Sequence, residues 1–193
     1  MRTIAIGCVV WTLLVVGPAV AQEDEEEEDE GYARRGVYAL LQGNYFIENF
    51  STAIEPEGSF GASGHIGYRL NRRFAAEFQV DWLKDFDFES GGAKVARITN
   101  GWTTTVNGKA FFSTGWIQPY AVAGIGVMGV TLDDEITGGA VEDTGFAFRT
   151  GVGADFYGDE NLALNVELGF VNPTGSASEY DYVSLAWGLL LRF

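Results

Sequence analysis

Over most of the chain, apolar side chains recur at every second position, and this period of two restricts the fold more than any other feature. In the segment RFAAEFQVDWL, Phe74, Phe78 and Trp82 share one parity, while Glu77 and Asp81 share the other. Successive side chains of a β-strand point to opposite faces, so this segment has one apolar face and one polar face. Helical spacing is hard to find, and the sequence therefore predicts an all-β protein.

Runs bounded by turn residues predict eight strands, at about 37–47, 59–70, 74–83, 95–112, 117–131, 145–157, 161–171 and 182–193. The connections between them alternate in length. The short ones are 71–73, 113–116 and 158–160, and the long ones, of ten or more residues, are 48–58, 84–94, 132–144 and 172–181. Short turns on one rim and long loops on the other are typical of a membrane barrel, and an even strand number places both termini on the short-turn rim.

The first 21 residues predict a secretory signal peptide, because Arg2 precedes an apolar run that ends in the small-residue sequence Ala-Val-Ala. The single cysteine, Cys8, lies within that run, so the exported chain would have no disulfide. Residues 22–35 are predicted to form a disordered acidic periplasmic leader, since they include eight consecutive acidic residues, 23–30. A formal net charge of −15 argues against nucleic acid as a partner.

Two barrels fit the alternation, and they are inside out with respect to each other. A soluble calyx would turn its apolar face inward around a ligand, whereas a membrane barrel turns that face toward lipid. Ten large aromatic side chains on the apolar parity would crowd an eight-stranded interior, and this favours the membrane barrel. These residues are Phe74, Phe78, Trp82, Trp102, Phe146, Phe148, Phe156, Phe170, Trp187 and Phe193.

The signal peptide, the alternating strands, the segment PYAVAGIGVMGV and the closing strand that ends in Phe193 resemble the OmpA/OmpX-like outer-membrane β-barrel family of Gram-negative bacteria. The resemblance covers residues 36–193. It implies an antiparallel up-and-down barrel with short periplasmic turns and long extracellular loops, located in the outer membrane. It also implies that the terminal strand is an insertion signal read by the barrel assembly machinery, with the side chains of Trp187, Leu189, Leu191 and Phe193.

The polar parity predicts an ionic network inside the barrel, formed by Arg69, Glu77, Asp81, Lys109, Arg149, Asp155, Glu167 and Arg192. If residues 158–160 form a three-residue turn, Glu167 lies opposite Gly151 and diagonally within reach of Arg149. Charges in a narrow lumen must be paired or hydrated, so the network either fills the barrel or plugs a narrow ion pathway. Both parities of 117–131 are apolar, and we expect its glycines to face the lumen together with Tyr120, beside Lys109.

The one histidine, His65, shares a face with Ser63, and a three-residue turn at 71–73 sets Asp81 opposite that serine. A serine, a histidine and a carboxylate also occur together in hydrolases. A barrel lumen is a poor place to meet lipid substrate, so we expect a structural histidine and no enzymatic activity.

One long loop is rich in carboxylates, Asp133, Asp134, Glu135, Glu142 and Asp143. They either attract divalent cations, without a dedicated metal site, or only keep the loop solvated and repel anionic lipid. We expect a monomer without a cofactor, whose partners are outer-membrane lipids, lipopolysaccharide and the barrel assembly machinery. A structural or surface-interaction role in the envelope is the first functional hypothesis. A narrow passive channel is the second, and a lipid-modifying enzyme is the third.

Overall fold

The computed structural model describes residues 31–48, 59–83, 86–90, 93–134, 139–175, 178 and 181–193. The predicted signal peptide and the acidic run 23–30 lie outside these residues. The described strands are β1 (Gly36–Glu48), β2 (Ser59–Arg69), β3 (Phe74–Leu83), β4 (Phe86–Ser90), β5 (Ala93–Phe111), β6 (Ile117–Asp134), β7 (Gly139–Tyr157), β8 (Leu162–Pro173) and β9 (Tyr182–Arg192). In the part of the chain that is described, no helix has the length and apolar character needed to cross a membrane.

The strands form one antiparallel sheet that closes on itself through pairing of β1 with β9. β3 and β4 pair in succession with β5, so together they occupy one strand position in the barrel wall. The barrel therefore has eight strand positions. Closure leaves no edge strand along the barrel wall, so the backbone hydrogen bonds are made within the sheet. The predicted eight-stranded up-and-down barrel is confirmed.

The alternation assigns the two faces as the sequence predicted. Nine of the ten large aromatic residues on the apolar parity are exposed on the outer face, and Phe170 is half-buried. In β6, Tyr120 and Val122 are buried inside, while Ile125 and Val127 are exposed outside. This places the ambiguous strand with its glycine face toward the lumen, as expected.

Two of the long connections contain more strand than the sequence predicted. β4 and the start of β5 form a hairpin within the predicted loop 84–94, and β6 and β7 remain paired as far as Asp134 and Gly139. The period of two reflects the contrast between the apolar outside and the polar lumen. At the ends of β6 and β7 polar residues occupy both parities, so the alternation does not extend there. β4 does alternate, with Phe86 and Phe88 on one parity, but it has only five residues.

Two short turns share one arrangement, in which the first loop residue accepts two backbone N–H groups. Asn71 Oδ1 accepts from Arg73 and Phe74 at 2.8 and 2.9 Å, and Asp159 Oδ1 accepts from Asn161 and Leu162 at 2.7 and 2.9 Å. Such Asx turns fix the register of the flanking strands.

The β2–β3 register is the predicted one, with Ser63 opposite Asp81. The predicted β7–β8 register was wrong by two residues, because the turn consists of 159–161 and not 158–160. Glu167 therefore lies opposite Gly153. A shift of two preserves parity, so no side chain changes face.

Candidate functional site: the lumen of the barrel

All eight charged residues that the sequence assigned to the lumen lie inside the barrel, and none is more than 5% exposed. Ion pairs and hydrogen bonds join six of them into one network, partly through neutral side chains. Within it lie a cluster around Glu77, a second cluster around Arg149 and one carboxylate that is joined through amides, while two arginines lie apart near the short-turn rim.

Glu77 is the centre of the first cluster, and its two carboxylate oxygens have different partners. Oε2 lies 2.8 Å from Lys109 Nζ and accepts a 3.0 Å hydrogen bond from the hydroxyl of Tyr38. Oε1 lies 2.8 Å from His65 Nδ1. Lys109 Nζ also lies 4.6 Å from the ring centroid of Tyr120, so the cation has an aromatic face as well as a carboxylate.

Arg149 is the centre of the second cluster. Its Nη2 donates to Glu167 Oε1, and its Nη1 lies 3.6 Å from Asp81 Oδ2. The hydroxyl of Tyr120 donates to the other oxygen of Glu167 at 2.6 Å. Tyr120 therefore touches both clusters and links them directly.

Asp155 forms no ion pair among the described residues, and its described hydrogen bond comes from a neutral amide. Asn165 Nδ2 donates to its carboxylate at 2.5 Å, and Gln42 Nε2 donates to the carbonyl oxygen of Asn165 at 2.6 Å. These amides were not singled out from the sequence, although their inward parity placed them in the lumen. A neutral donor can satisfy a buried carboxylate that has no direct ion pair.

Arg69 and Arg192 lie near the short-turn rim, apart from both clusters. Arg69 stacks over Phe111, with 3.5 Å from its guanidinium carbon to the ring centroid, and donates to Gln118 Oε1 at 3.0 Å. Arg192 donates to the carbonyl oxygen of Tyr32 at 2.6 Å and to the hydroxyl of Tyr157. Among the described residues, neither arginine forms an ion pair.

Ser63, His65 and Glu77 form a hydrogen-bonded chain. His65 Nε2 lies 3.2 Å from Ser63 Oγ, and the carboxylate at Nδ1 is that of Glu77. Asp81 is opposite Ser63 in register, but its carboxylate faces Gln79 and Arg149.

Ser63 Oγ also donates to Gln42 Oε1 and accepts from Asn44 Nδ2, both at 3.1 Å. The serine is only 2% exposed. Its oxygen is surrounded by partners and has no open side from which a substrate could approach.

Buried apolar side chains pack inside the barrel on both sides of the ionic clusters. Near the short-turn rim they are Tyr38, Leu40, Ala75, Phe111, Tyr120, Val122, Tyr157, Ala163 and Leu190, with Tyr32 packed against them. Toward the other rim they are Phe46, Leu83, Met128, Val130, Ala147, Val171 and Tyr182. Phe46 and Tyr182 meet edge to face with 5.2 Å between ring centroids.

Two glycines make room for the lumen tyrosines. A Cβ on Gly67 would lie 2.1 Å from the ring of Tyr38, and a Cβ on Gly153 would lie 2.6 Å from the ring of Tyr120. Each tyrosine crosses its neighbouring strand over a glycine, and this brings its hydroxyl to a carboxylate.

The remaining predicted residues lie away from the lumen interior. Trp187, Leu189, Leu191 and Phe193 are exposed on the outer face of the terminal segment, and Phe193 is 74% exposed. Asp133 and Asp134 belong to β6, Glu142 and Asp143 belong to β7, and Glu135 lies outside the described residues. The acidic segment predicted as a loop is therefore mostly a paired hairpin.

Comparison with known families gives one match over most of the chain. The profile of the family described as outer membrane protein beta-barrel domain matches residues 10–193. A comparison with curated protein sequences found no match.

Solved outer-membrane barrels have a similar fold at low sequence identity. Neisserial surface protein A is 14% identical with a TM-score of 0.66, and the alignment covers 82% of this chain and 97% of that one. Ail, the attachment invasion locus protein of Yersinia pestis, solved with the heparin analogue sucrose octasulfate, is 12% identical with a TM-score of 0.60 and coverages of 83% and 99%. The N-terminal barrel of Pseudomonas aeruginosa OprF is 15% identical with a TM-score of 0.57 and coverages of 83% and 100%.

Proposed function

Because the chain belongs to the outer membrane protein beta-barrel domain family, whose members lie in the outer membrane, we propose that it is a structural and surface-presenting barrel with a lumen closed to ions. One observation carries this proposal: buried side chains cross the lumen at three successive levels. An ion would have to displace all three to pass.

The three levels differ in chemistry. Tyr32, Tyr157 and their apolar neighbours lie at the short-turn end, the ionic clusters around Glu77 and Arg149 lie in the middle, and Phe46 packs on Tyr182 toward the other end. Moving a buried pair apart leaves an uncompensated charge and costs several kcal/mol. The ion pairs of the middle level therefore hold opposite strands together and stay in place inside the lumen.

Conductance across a planar lipid bilayer tests the closed lumen. We expect purified, folded protein to leave the bilayer silent. A matched variant, Tyr120→Ala with Arg149→Ala, removes the link between the clusters, and its current steps would show that the assay detects an opened lumen. Stable current steps from the unmodified protein would overturn the proposal and favour the narrow channel.

The surface role rests on the rim opposite the termini. β5, β6 and β7 have 19, 18 and 19 residues, whereas β1 and β9 have 13 and 11, so one side of the barrel extends farther. Its sequence is rich in carboxylates, including Asp133, Asp134, Glu142 and Asp143. A polyanion such as the heparin analogue bound to Ail would be repelled here, so we propose cationic partners, including divalent cations that bridge to lipopolysaccharide phosphates.

Calorimetric titration with CaCl2 or MgCl2 tests this surface. Replacing the four carboxylates by their amides should weaken binding, whereas the same change at Asp159 and Glu160 on the opposite rim should not. Equal binding by both variants would contradict the assignment of the cation-attracting surface.

We propose no enzymatic role for the chain of Ser63, His65 and Glu77, because a nucleophile must reach its substrate and Ser63 Oγ is enclosed. A His65→Ala variant in cells should leave the lipid A and phospholipid profiles unchanged. An altered profile would favour the lipid-modifying enzyme.

A further inference from the structure

Six arginines surround the short-turn end of the barrel, and we call them the arginine collar: Arg34, Arg35, Arg69, Arg72, Arg73 and Arg192. They are half of the 12 lysines and arginines in the whole chain. Arg72 and Arg73 are exposed in the β2–β3 turn, while Arg69 and Arg192 point into the mouth and are 1% and 5% exposed. The collar outnumbers the two carboxylates of the β7–β8 turn, Asp159 and Glu160, so this rim is positive in a protein that is otherwise strongly acidic.

The collar lacks carboxylate partners among the described residues. The four ion pairs of this part of the chain all lie deeper, around Glu77 and Arg149. The described hydrogen bonds of the collar go to neutral oxygens, such as Arg69 to the carbonyl of Arg72 at 2.6 Å and Arg34 to the side chain of Asn161. The buried Nε of Arg192 has no hydrogen-bond partner in the described residues.

The chain enters the barrel through the middle of this collar. Tyr32 packs against the apolar cluster at the mouth, and its carbonyl oxygen accepts hydrogen bonds from Gln118 at 2.9 Å and Arg192 at 2.6 Å. Gly31 therefore lies at the mouth, and the run of eight acidic residues, 23–30, ends immediately before it. Eight extended residues reach about 27 Å, which is enough to span the mouth of an eight-stranded barrel.

We infer that the acidic run 23–30 docks on the arginine collar at the short-turn rim of the barrel. The run carries eight negative charges and the collar six positive ones. Because the two are joined by a few residues whose position is fixed at Tyr32, docking is intramolecular and has a high effective concentration.

Lipid headgroup phosphates are the other anions near this rim, but the geometry favours the acidic run. Phosphates surround the outer circumference of a barrel, whereas Arg69 and Arg192 face the interior of the mouth. Arg69 is held there by Phe111 and Gln118, so it does not turn outward to the bilayer.

A distance measurement between two spin labels tests this docking. In a Cys8→Ser background, labels are placed at Glu26→Cys in the run and at Gly115→Cys in the β5–β6 turn. The turn accepts the new side chain because the nearest atom to a Cβ there is Ser113 Oγ at 3.9 Å. Pulsed electron paramagnetic resonance then gives the distance distribution for the folded protein in lipid nanodiscs.

We expect a narrow distribution within the reach of the run at low salt. It should be lost at about 1 M NaCl, where the Debye length falls to about 3 Å. It should also be lost when Arg35, Arg72 and Arg73 are replaced by glutamine. Replacement of Lys94 and Arg97, which belong to β5 on the opposite rim, should leave it unchanged.

Two results would overturn the inference. One is a broad distribution at low salt in the parent protein. The other is a narrow distribution that the collar variant does not change. A distribution that is narrow in zwitterionic nanodiscs and broad in phosphatidylglycerol nanodiscs would also overturn it, because lipid phosphate would then displace the run and the collar would be a headgroup site. A boiling-dependent gel shift confirms that each variant is folded.

Discussion

The carboxylate of Glu77 neutralises the buried Lys109 and also contacts His65 and Tyr38. Its replacement should therefore lower the stability of the barrel. Glu77→Gln keeps the shape of the side chain but leaves Lys109 without the carboxylate 2.8 Å away. Breaking a buried ion pair by neutralising one partner costs about 3–5 kcal/mol. We expect that loss in the free energy of unfolding, measured by urea titration in lipid vesicles with tryptophan fluorescence as the signal.

The matched control removes both charges. Glu77→Gln combined with Lys109→Met leaves no uncompensated ion, so most of the lost stability should return. A double variant no more stable than Glu77→Gln would show that the carboxylate acts through Tyr38 and His65, and not through the lysine.

Gly67 offers a second test, because its lack of a side chain makes room for the ring of Tyr38. An alanine Cβ there would lie 2.1 Å from that ring, so Gly67→Ala must displace Tyr38 from Glu77. Overpacking of this kind costs about 1–3 kcal/mol. Gly64, on the outer face of the same strand, has its nearest side-chain atom at 3.7 Å, and Gly64→Ala should unfold at the same urea concentration as the parent. Similar midpoints for both alanine variants would contradict the packing role.

The turns explain where the sequence-based register succeeded and where it failed. Asn71 begins its run of turn residues, so the three-residue turn at 71–73 followed directly and the β2–β3 register was predicted correctly. Gly158 precedes Asp159, and the glycine was counted as the first turn residue although the aspartate is the one that accepts the backbone N–H groups. Composition identifies a turn, but the hydrogen bonds of one carboxylate decide its position.

Asp159 therefore predicts a defined effect on the β7–β8 hairpin. Asp159→Ala removes the oxygen that accepts two backbone N–H groups, and at about 1 kcal/mol for a typical hydrogen bond we expect a loss of about 1–2 kcal/mol of unfolding free energy. Asp159→Asn retains an acceptor oxygen and should remain close to the parent. Equal losses in both variants would assign the effect to charge and not to the turn.

Phe193 at the end of the closing strand offers a test that distinguishes the stability of the folded barrel from its assembly in cells. The backbone N–H of Phe193 donates to Val37 at 2.9 Å, and an alanine retains that bond. The ring itself is 74% exposed, so Phe193→Ala should change the urea midpoint of refolded protein very little. If the ring belongs to an insertion signal, the same variant in cells should show much less heat-shifted protein in the outer-membrane fraction. Normal assembly in cells would contradict the signal.

At the level of the barrel, the sequence predicted which face each strand residue occupies, because that depends on parity. It did not predict which side chains meet across the lumen, because that depends on their length and direction. The alternation placed all eight lumen charges inside, since parity alone decides the face of a strand. It did not predict that Glu77, and not Asp81, would be the carboxylate at His65, because that choice depends on Arg149 reaching Asp81 from across the lumen. Contacts across a closed barrel join strands that are distant in sequence, and no local pattern encodes them.

Closure itself makes the last prediction, which concerns mobility in SDS gels. The sheet closes on itself because β1 pairs with β9 and β3 pairs with β5, so opening the barrel requires many hydrogen bonds to break together. Protein from the outer-membrane fraction should migrate differently before and after boiling. Val166→Pro removes a donor from the middle of β8, and the unboiled form should be lost, whereas Val166→Leu on the same outward position should retain it. Recovery of the parent protein in the soluble periplasm, with the same gel mobility before and after boiling, would contradict the membrane barrel. It would mean that the apolar face points inward around a ligand.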